Sequence, residues 1–246
     1  MNESLFQRDA VRTLARKSLS SYFETPSAYI ALFVFYLLTS YVFCLPLFLV
    51  GQASIKRLMD FEPLFLAFLV PALTMGLLAE ELRSGTFEFL ATLPLEDRDI
   101  VLGKFLGFAQ LHAITIAGLI VLPLALALLV QPPAGLDWGE TLGVLGALLL
   151  QGFLFGAVGL FSSSLSGSQA VSFVVAFLIC FAFFAAGKLG AFFPGLAGAI
   201  VEFAGIDGHT QALAKGVLDT RDLVYFGTVT AGFLCTTVER LRARRA

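Results

Sequence analysis

The chain has 246 residues, of which 58% are hydrophobic and only 14% are charged. Soluble domains of this size carry about 45–50% apolar and about 25% charged residues, so this chain has too little polar surface to cover itself in water. Its 16 Lys and Arg residues nearly balance its 18 Asp and Glu residues, which gives a formal net charge of -2. The composition therefore predicts an integral membrane protein in a lipid bilayer and argues against a nucleic-acid-binding protein.

The first predicted element is an amphipathic helix over residues 1–25 that lies along the membrane surface. Arg8, Arg12 and Arg16 recur at four-residue spacing beside a weakly apolar stripe. This pattern is typical of an interfacial helix whose arginines reach the lipid head groups. The helix is expected to end at Thr25, because the residue before a proline is disfavoured in the helical region. The alternative is an ordinary positively charged flank to the first span.

Six apolar runs are long enough to cross a membrane, for which about 20 mostly apolar residues are needed. The predicted spans cover residues 28–50, 61–79, 101–130, 142–161, 170–187 and 223–238. An even number of spans places the basic residues of 8–17, 83–104 and 240–245 on one side of the membrane. Lys and Arg are enriched in cytoplasmic loops, so both termini are predicted to be cytoplasmic.

An apolar stretch between the fifth and sixth spans, residues 191–206, is interrupted by glycine and proline. We interpret it as a re-entrant or interfacial hairpin around Pro194 and Gly195, because irregular backbone survives at membrane depth only where protein covers it. The alternative is an extension of the fifth helix beyond the bilayer.

The loop between the second and third spans is the most informative polar segment. Ser84 and Gly85 are able to end one helix and begin another, residues 86–93 carry apolar side chains at helical spacing, and Pro94 ends the run. The pattern predicts a short, stiff helix of about two turns between two spans. A plain interfacial turn is the alternative.

No residue pattern in the chain indicates catalysis or metal binding. The Walker A motif of ATP-hydrolysing proteins is absent, and the two histidines, His112 and His209, are far apart in the sequence. Within the spans, Gln110, His112 and Gln151 are candidate cavity-lining residues, with internal hydrogen bonding as the alternative. Acidic and basic residues are essentially absent from the spans, which argues against an ion-driven secondary transporter.

The loop carries a resemblance to a known family. Its sequence from Ala79 to Pro94, AEELRSGTFEFLATLP, followed by Gly103 and Lys104, resembles the signature E-E-x-x-x-G-T-x-E-x-L-x-T-x-P followed by G-K of ABC-2 type permeases. Within that superfamily the chain is most similar to gliding-motility-type permeases and to permeases of nitrous-oxide-reductase maturation. The similarity is clearest over the first half of the chain.

The resemblance implies that residues 1–246 form one all-α ABC-2 transmembrane domain with six spans. It also implies that the loop helix is a coupling helix seated in a groove of a separate ATPase subunit, and that residues 191–206 are re-entrant near the outer exit. The residues implied in ATPase coupling are Glu80, Glu81, Gly85, Thr86, Phe87, Glu88, Leu90 and Pro94.

The same resemblance implies the partners of the chain. They are two ATPase copies, which bind ATP and Mg, a second permease copy, and an accessory membrane protein with a large extracytoplasmic domain as in gliding-type systems. The expected function is ATP-driven export, or mechanical action on an extracytoplasmic partner, in a bacterial inner membrane. The alternatives are an ATPase-independent channel or secondary transporter, and a membrane scaffold. The chain itself is expected to bind no cofactor and to be no enzyme.

Overall fold

A computed structural model describes residues 3–50, 58–86, 95–129, 137–217 and 219–245 of the chain. Its long elements are α-helices, as the composition and the apolar runs predict. They are α1 (Glu3–Glu24), α2 (Pro26–Val50), α3 (Leu58–Thr74), α4 (Ala79–Ser84), α5 (Asp97–Gly118), α6 (Val121–Leu129), α7 (Trp138–Leu165), α8 (Gln169–Leu189), α9 (Leu196–Ala204), α10 (Asp207–Ala214) and α11 (Thr220–Arg245).

Within the described residues, five helical segments are long and apolar enough to cross a membrane, and they coincide with the first five predicted spans. They are Pro26–Leu45, Leu58–Ser84, Asp97–Ala125, Trp138–Leu165 and Gln169–Leu189. Helix α11 has 26 residues but is not among the five, because its apolar part is short and rich in threonine. At 1.5 Å per residue, residues 223–238 cover about 24 Å. The sixth span therefore stays a prediction.

Two of the predicted spans contain a break in the helix. The second span is divided into α3 and α4 by a turn over residues 75–78. The third is divided into α5 and α6 at residues 119–120, one turn before Pro123. A proline has no N–H with which to bond the carbonyl one turn earlier, and here Leu122 N donates to Leu119 O at 3.1 Å in a tighter turn.

Helix α7 forms the centre of the bundle. In its most apolar stretch 72% of the residues are buried, against 17% in α2 and in α8. It contacts α3, α5, α8, α10 and α11. Its glycines Gly152 and Gly156 leave no room for a Cβ beside His112 and Phe108 of α5, so they serve internal packing. Helices α2 and α8 lie at the periphery of the bundle and expose largely apolar surfaces.

Helix α1 ends and α2 begins on either side of Thr25, where the sequence predicts the boundary. Arg12 and Arg16 are exposed, while Ala15 and Tyr22 of the apolar stripe are buried. Helix α1 packs mainly on α5. It is therefore held against the helical bundle, while its exposed arginines remain suited to the membrane surface.

The bundle has two ends, which we name by their short helices. The α4 end carries α4, α1 and the last turns of α11, where Leu241 packs with Leu78, Val101 and Leu160 and Arg244 donates to Leu165 O at 3.0 Å. The α10 end carries α9, α10 and the first turns of α7 and α11. Both the N-terminal helix and the C-terminal end of α11 therefore lie at the α4 end.

Residues 191–206 turn back on the bundle and do not extend α8. The reversal follows Pro194 at Gly195, whose φ of +73° lies in the left-handed region that glycine tolerates. Helix α9 then runs along the last turns of α8, where Gly205 and Gly187 meet with no space for a side chain. The depth of this hairpin in a membrane stays a prediction.

Candidate functional site

The predicted coupling residues fall partly within the described structure. Helix α4 contains Glu80 and Glu81 and ends at Gly85, whose φ of +71° is left-handed. Gly85 and Thr86 are exposed at the tip of this segment. The other predicted coupling residues, Phe87, Glu88, Leu90 and Pro94, lie outside the described residues.

Helix α4 is attached to α5 by a buried lysine. The Nζ of Lys104 donates to Glu81 Oε1 at 2.7 Å and to Leu77 O at 2.5 Å, and only 8% of the lysine side chain is exposed. A buried charge is tolerated when it is paired and hydrogen-bonded, as here. Glu81, implied as an ATPase contact, thus uses one carboxylate oxygen inside the chain, whereas Glu80 is exposed.

The turn between α3 and α4 is held by one hydroxyl group of α7. Ser163 Oγ accepts hydrogen bonds from the N–H groups of Leu78 and Ala79, both at 2.9 Å, and donates to Met75 O at 3.0 Å. A hydroxyl has one donor and two acceptor positions, so all three are used. The sequence marks this residue only as part of a serine-rich turn, and the contact depends on the tertiary structure.

Helices α1 and α5 touch backbone to backbone at the same end. A Cβ placed on Gly103 would lie 2.6 Å from Leu14 Cβ, and one on Gly107 would lie 2.5 Å from Ser18 Cβ. These distances are shorter than any ordinary carbon contact, so only glycine allows the two helices to approach this closely. The backbones of α1 and α5 are therefore in close contact at these two positions.

A polar cleft of about 540 Å³ opens between α1, the α3–α4 turn and α4. Lys17 of α1 and Glu80 of α4 both line it, together with hydroxyl groups of α1. Its lining includes Lys17, Ser18, Ser21, Tyr22, Thr25, Ser27, Gly76, Glu80, Glu81, Ser84, Thr86, Lys104 and Gln169. The cleft thus joins the N-terminal helix to the predicted coupling segment.

The structure does not bring the three candidate cavity residues together. Gln110 is exposed on α5. His112 is fully buried, with Nε2 3.2 Å from Leu148 O and its ring stacked on Phe108. Gln151 is also fully buried and donates from Nε2 to Pro63 O at 3.3 Å. The two buried side chains therefore connect α7 to different helices.

An acidic residue that the sequence analysis passes over lies in the core of the bundle. Glu62 in α3 is fully buried beside Thr39. Its carboxylate interacts with the side chain of Thr39, but among the described residues neither oxygen makes a hydrogen bond of good geometry. Its position just inside the second predicted span is the signal that could have identified it, since ionisable residues in spans are functional candidates.

A second polar cluster that the sequence does not reveal lies at the α10 end. His209 Nδ1 is 2.7 Å from Asp222 Oδ1, its Nε2 is 3.1 Å from Phe203 O, and its ring stacks on Tyr225 at 3.9 Å. Both ring nitrogens therefore lie within hydrogen-bonding distance of an oxygen atom. The cluster connects three helices, namely the end of α9, α10 and the start of α11.

No site for a metal ion formed by three or more His, Cys, Asp or Glu residues occurs in the described part of the chain. The polar geometry instead consists of fixed contacts at the α4 end, one buried acid in the core and the histidine cluster at the α10 end. This is an arrangement of rigid helices with polar attachments at their ends.

Comparison with protein families identifies the chain. The family described as "ABC-2 family transporter protein" matches residues 50–211, which is more than half of the sequence. The chain belongs to the ABC-2 transporter family. No curated protein matches the sequence.

Membership of this family accounts for the membrane-length helices of the chain. ABC-2 family proteins are multi-pass membrane proteins, consistent with five membrane-length helices in the described residues. They are membrane subunits of transporters, and they normally work with an ABC ATPase as a partner. The matched region includes α3 to α9 and most of α10, and therefore contains the α4 segment, Lys104 and Ser163.

Proposed function

We propose that this chain is the transmembrane permease subunit of an ATP-driven ABC-2 exporter, with residues 79–94 as the coupling segment for a separate ATPase. The observation that supports this most is the attachment of α4. Its tip at Gly85 and Thr86 is exposed, while Lys104 and Ser163 connect its base to α5 and α7. A push on the tip would therefore reach the two helices that build the core.

Each end of the coupling segment has a separate task in this proposal. Glu80, Glu88 and the exposed tip contact the ATPase, and Phe87 and Leu90 fill its groove. Glu81 transmits the displacement to Lys104, to which it is bonded at 2.7 Å. Pro94 separates the segment from α5, which begins at Asp97 with a capping box between Glu96 and Asp99.

Helix α1 provides a second route into the core. It contacts α5 at Gly103 and Gly107, close to the lysine that holds α4. An ATPase that binds both α1 and the coupling segment would act on α5 through two contacts, one with α1 and one with α4. ATP and Mg bind the ATPase and not this chain, and closure of two ATPase copies moves the spans as rigid bodies.

We further propose that α11 is the sixth span and that both termini are cytoplasmic in a bacterial inner membrane. The position of α1 and of the end of α11 at one end of the bundle supports this arrangement. Arg12, Arg16 and Lys17 of α1 and Arg240, Arg242 and Arg244 of α11 all lie at that end, and cytoplasmic faces are enriched in Lys and Arg.

The working assembly contains two permease copies and two ATPase copies. The peripheral helices α2 and α8, with 17% of their apolar stretches buried, supply surface for lipid and for the second copy. The similarity to gliding-motility and nitrous-oxide-reductase maturation permeases adds an accessory membrane protein with a large extracytoplasmic domain. Transport and mechanical pulling on such a partner use the same motion.

Glu62 favours one alternative function. An acidic residue fully buried in a membrane bundle is typical of ion-coupled carriers, so an ATPase-independent channel or secondary transporter is the second candidate. A membrane scaffold is the third. Activity of the chain alone in vesicles would distinguish the second candidate from the permease.

The test is co-purification of the tagged chain with its ATPase from its native host in mild detergent, followed by measurement of ATP hydrolysis. Glu88→Arg reverses the charge of a coupling contact, and Gly85→Pro prevents the left-handed turn. We expect both variants to lower ATPase recovery or its stimulation while membrane insertion stays intact.

Two control variants accompany them. Glu202→Arg makes the same charge reversal at the α10 end, and Gly85→Asn retains a residue that tolerates the left-handed region. Both are expected to recover the ATPase normally. If Glu88→Arg and Gly85→Pro assemble and support ATP turnover like the unchanged chain, the coupling assignment is wrong.

A further inference from the structure

We propose that the cleft between α1 and α4 binds the head group of a phospholipid that carries a phosphate and a primary amine, as phosphatidylethanolamine does. The inference rests on the proposed function in one respect, the placement of the α4 end at the inner membrane surface. There the cleft opens at the depth of the head groups. Its volume of about 540 Å³ is within the usual range of small-molecule sites.

The charges of the cleft match a zwitterion. Four charged side chains line it, and Lys104 and Glu81 neutralise each other through their 2.7 Å ion pair. One cation, Lys17 on α1, and one anion, Glu80 on α4, remain on the two helices that border the cleft, and both are exposed. A ligand with an anionic phosphate and a cationic amine would complement both walls, whereas a ligand with a single charge would leave one unpaired.

The anionic wall is suited to a primary amine. The Glu80 carboxylate lies close to Gly76, and the second carboxylate oxygen of Glu81 is buried and has no hydrogen-bond partner among the described residues. An –NH₃⁺ group donates three hydrogen bonds, which these oxygens are able to accept. A quaternary ammonium of the same charge has no N–H to donate, so the wall distinguishes ethanolamine from choline.

The α1 wall is suited to a phosphate. Ser18 and Ser21 of α1, with Ser27 at the start of α2, contribute hydroxyl groups to the cleft that Lys17 also lines. The hydroxyl of Tyr22, a cleft residue that is 9% exposed, has no hydrogen-bond partner in the described part of the chain. Burial raises the pKa of Tyr22 above its ordinary value, so this hydroxyl keeps its proton and remains a donor.

The acyl chains have an apolar surface to follow. Helix α2 begins at Pro26 beside the cleft, and its first turns expose the large side chains of Tyr29, Ile30 and Phe33. In a bilayer these side chains would face hydrocarbon. A lipid seated in this way connects α1 to α4, so it would strengthen the contact between the two proposed ATPase-binding elements.

The experiment measures which lipid stays with the full chain. The protein is reconstituted in nanodiscs of equal parts phosphatidylethanolamine, phosphatidylcholine and phosphatidylglycerol, extracted in mild detergent, and analysed by native mass spectrometry. We expect phosphatidylethanolamine to be retained about tenfold over phosphatidylcholine, the ratio that a single charge-assisted hydrogen bond supports. Lys17→Ala and Glu80→Gln should each reduce this retention several-fold, and Lys17→Arg should preserve it.

The matched controls are Arg16→Ala and Glu24→Gln, which change exposed charges of α1 outside the cleft lining and are expected to leave retention unchanged. Equal retention of the three lipids, or retention unaffected by both cleft variants, overturns the proposal. An excess of soluble phosphoethanolamine should displace the lipid, because it carries the same phosphate and amine, and failure to displace it would show that the cleft does not hold the head group. The assay contains no ATPase, so its failure and failure of the co-purification test are separate results.

Discussion

Ser163 shows how a single polar side chain determines the shape of this protein. Its hydroxyl occupies the turn between α3 and α4, and its three hydrogen bonds satisfy backbone groups that no helix could satisfy at that point. Without it the second membrane helix would have two unpaired, buried N–H groups at its break.

We therefore predict that Ser163→Ala lowers stability by about 1–3 kcal/mol, since buried donors are left unsatisfied. The measurement is thermal unfolding of the purified chain in detergent. Ser164→Ala is the matched control, because the hydrogen bond of Ser164 Oγ in the described structure stays within its own helix, to Phe161 O at 2.6 Å. If both substitutions lower the unfolding temperature equally, the proposed attachment of α4 to α7 is not specific to Ser163.

Glu62 leads to a prediction of opposite sign. A buried carboxylate that lacks good hydrogen bonds is unfavourable when ionised, and among the described residues Glu62 interacts with the Thr39 side chain but makes no hydrogen bond of good geometry. Glu62→Gln should therefore maintain or raise the unfolding temperature of the chain, and permease activity with its ATPase should persist. Loss of activity with an unchanged fold would instead support the ion-coupled alternative. Glu80→Gln, exposed on α4, serves as the comparison for stability.

At the scale of elements, the docking of α1 on α5 depends on two glycines. Gly107→Ala would place a methyl group against Ser18 and the Ala15 carbonyl, which forces the helices apart. We expect a lower unfolding temperature and faster proteolysis within α1. Gly227→Ala, on the exposed side of α11 with open space around it, should be neutral or stabilising by up to about 1 kcal/mol because alanine favours helix. Similar behaviour of both variants would contradict the close contact.

The breaks in the membrane helices also belong to this scale. Pro123 in the sequence marks the interruption between α5 and α6, whereas Pro71 stands inside α3, which continues to Thr74. Both prolines remove a backbone N–H donor, but the packing around each proline determines whether the helix breaks or continues. Hydropathy alone predicts one continuous span in each case.

At the scale of the whole molecule, the number of spans determines where the C-terminus lies. With α11 across the membrane both termini share one side, and with five spans they lie on opposite sides. We predict that green fluorescent protein fused after Ala246 is fluorescent in the cytoplasm and that alkaline phosphatase fused after Ala214 is active outside. An active phosphatase at the C-terminus would show that α11 does not cross.

The sequence by itself determined the class of this protein. The excess of apolar residues, the five long runs and the boundary at Thr25 follow from local composition, since a bilayer selects apolar helices one segment at a time. The loop motif indicated the ABC-2 family, which the family match over residues 50–211 confirms. These properties depend on neighbouring residues in the chain, so they are visible without a fold.

Only the tertiary structure decided which residues meet. Ser163 bonds residues more than 80 positions away, His209 pairs with Asp222 of another helix, and Gln110 is exposed although it lies near His112 in the sequence. Such contacts depend on the rotation and spacing of packed helices, which periodicity does not specify when nearly every side chain of a span is apolar. The glycine contacts of α7 with α5 and of α5 with α1 fix that spacing where these helices meet.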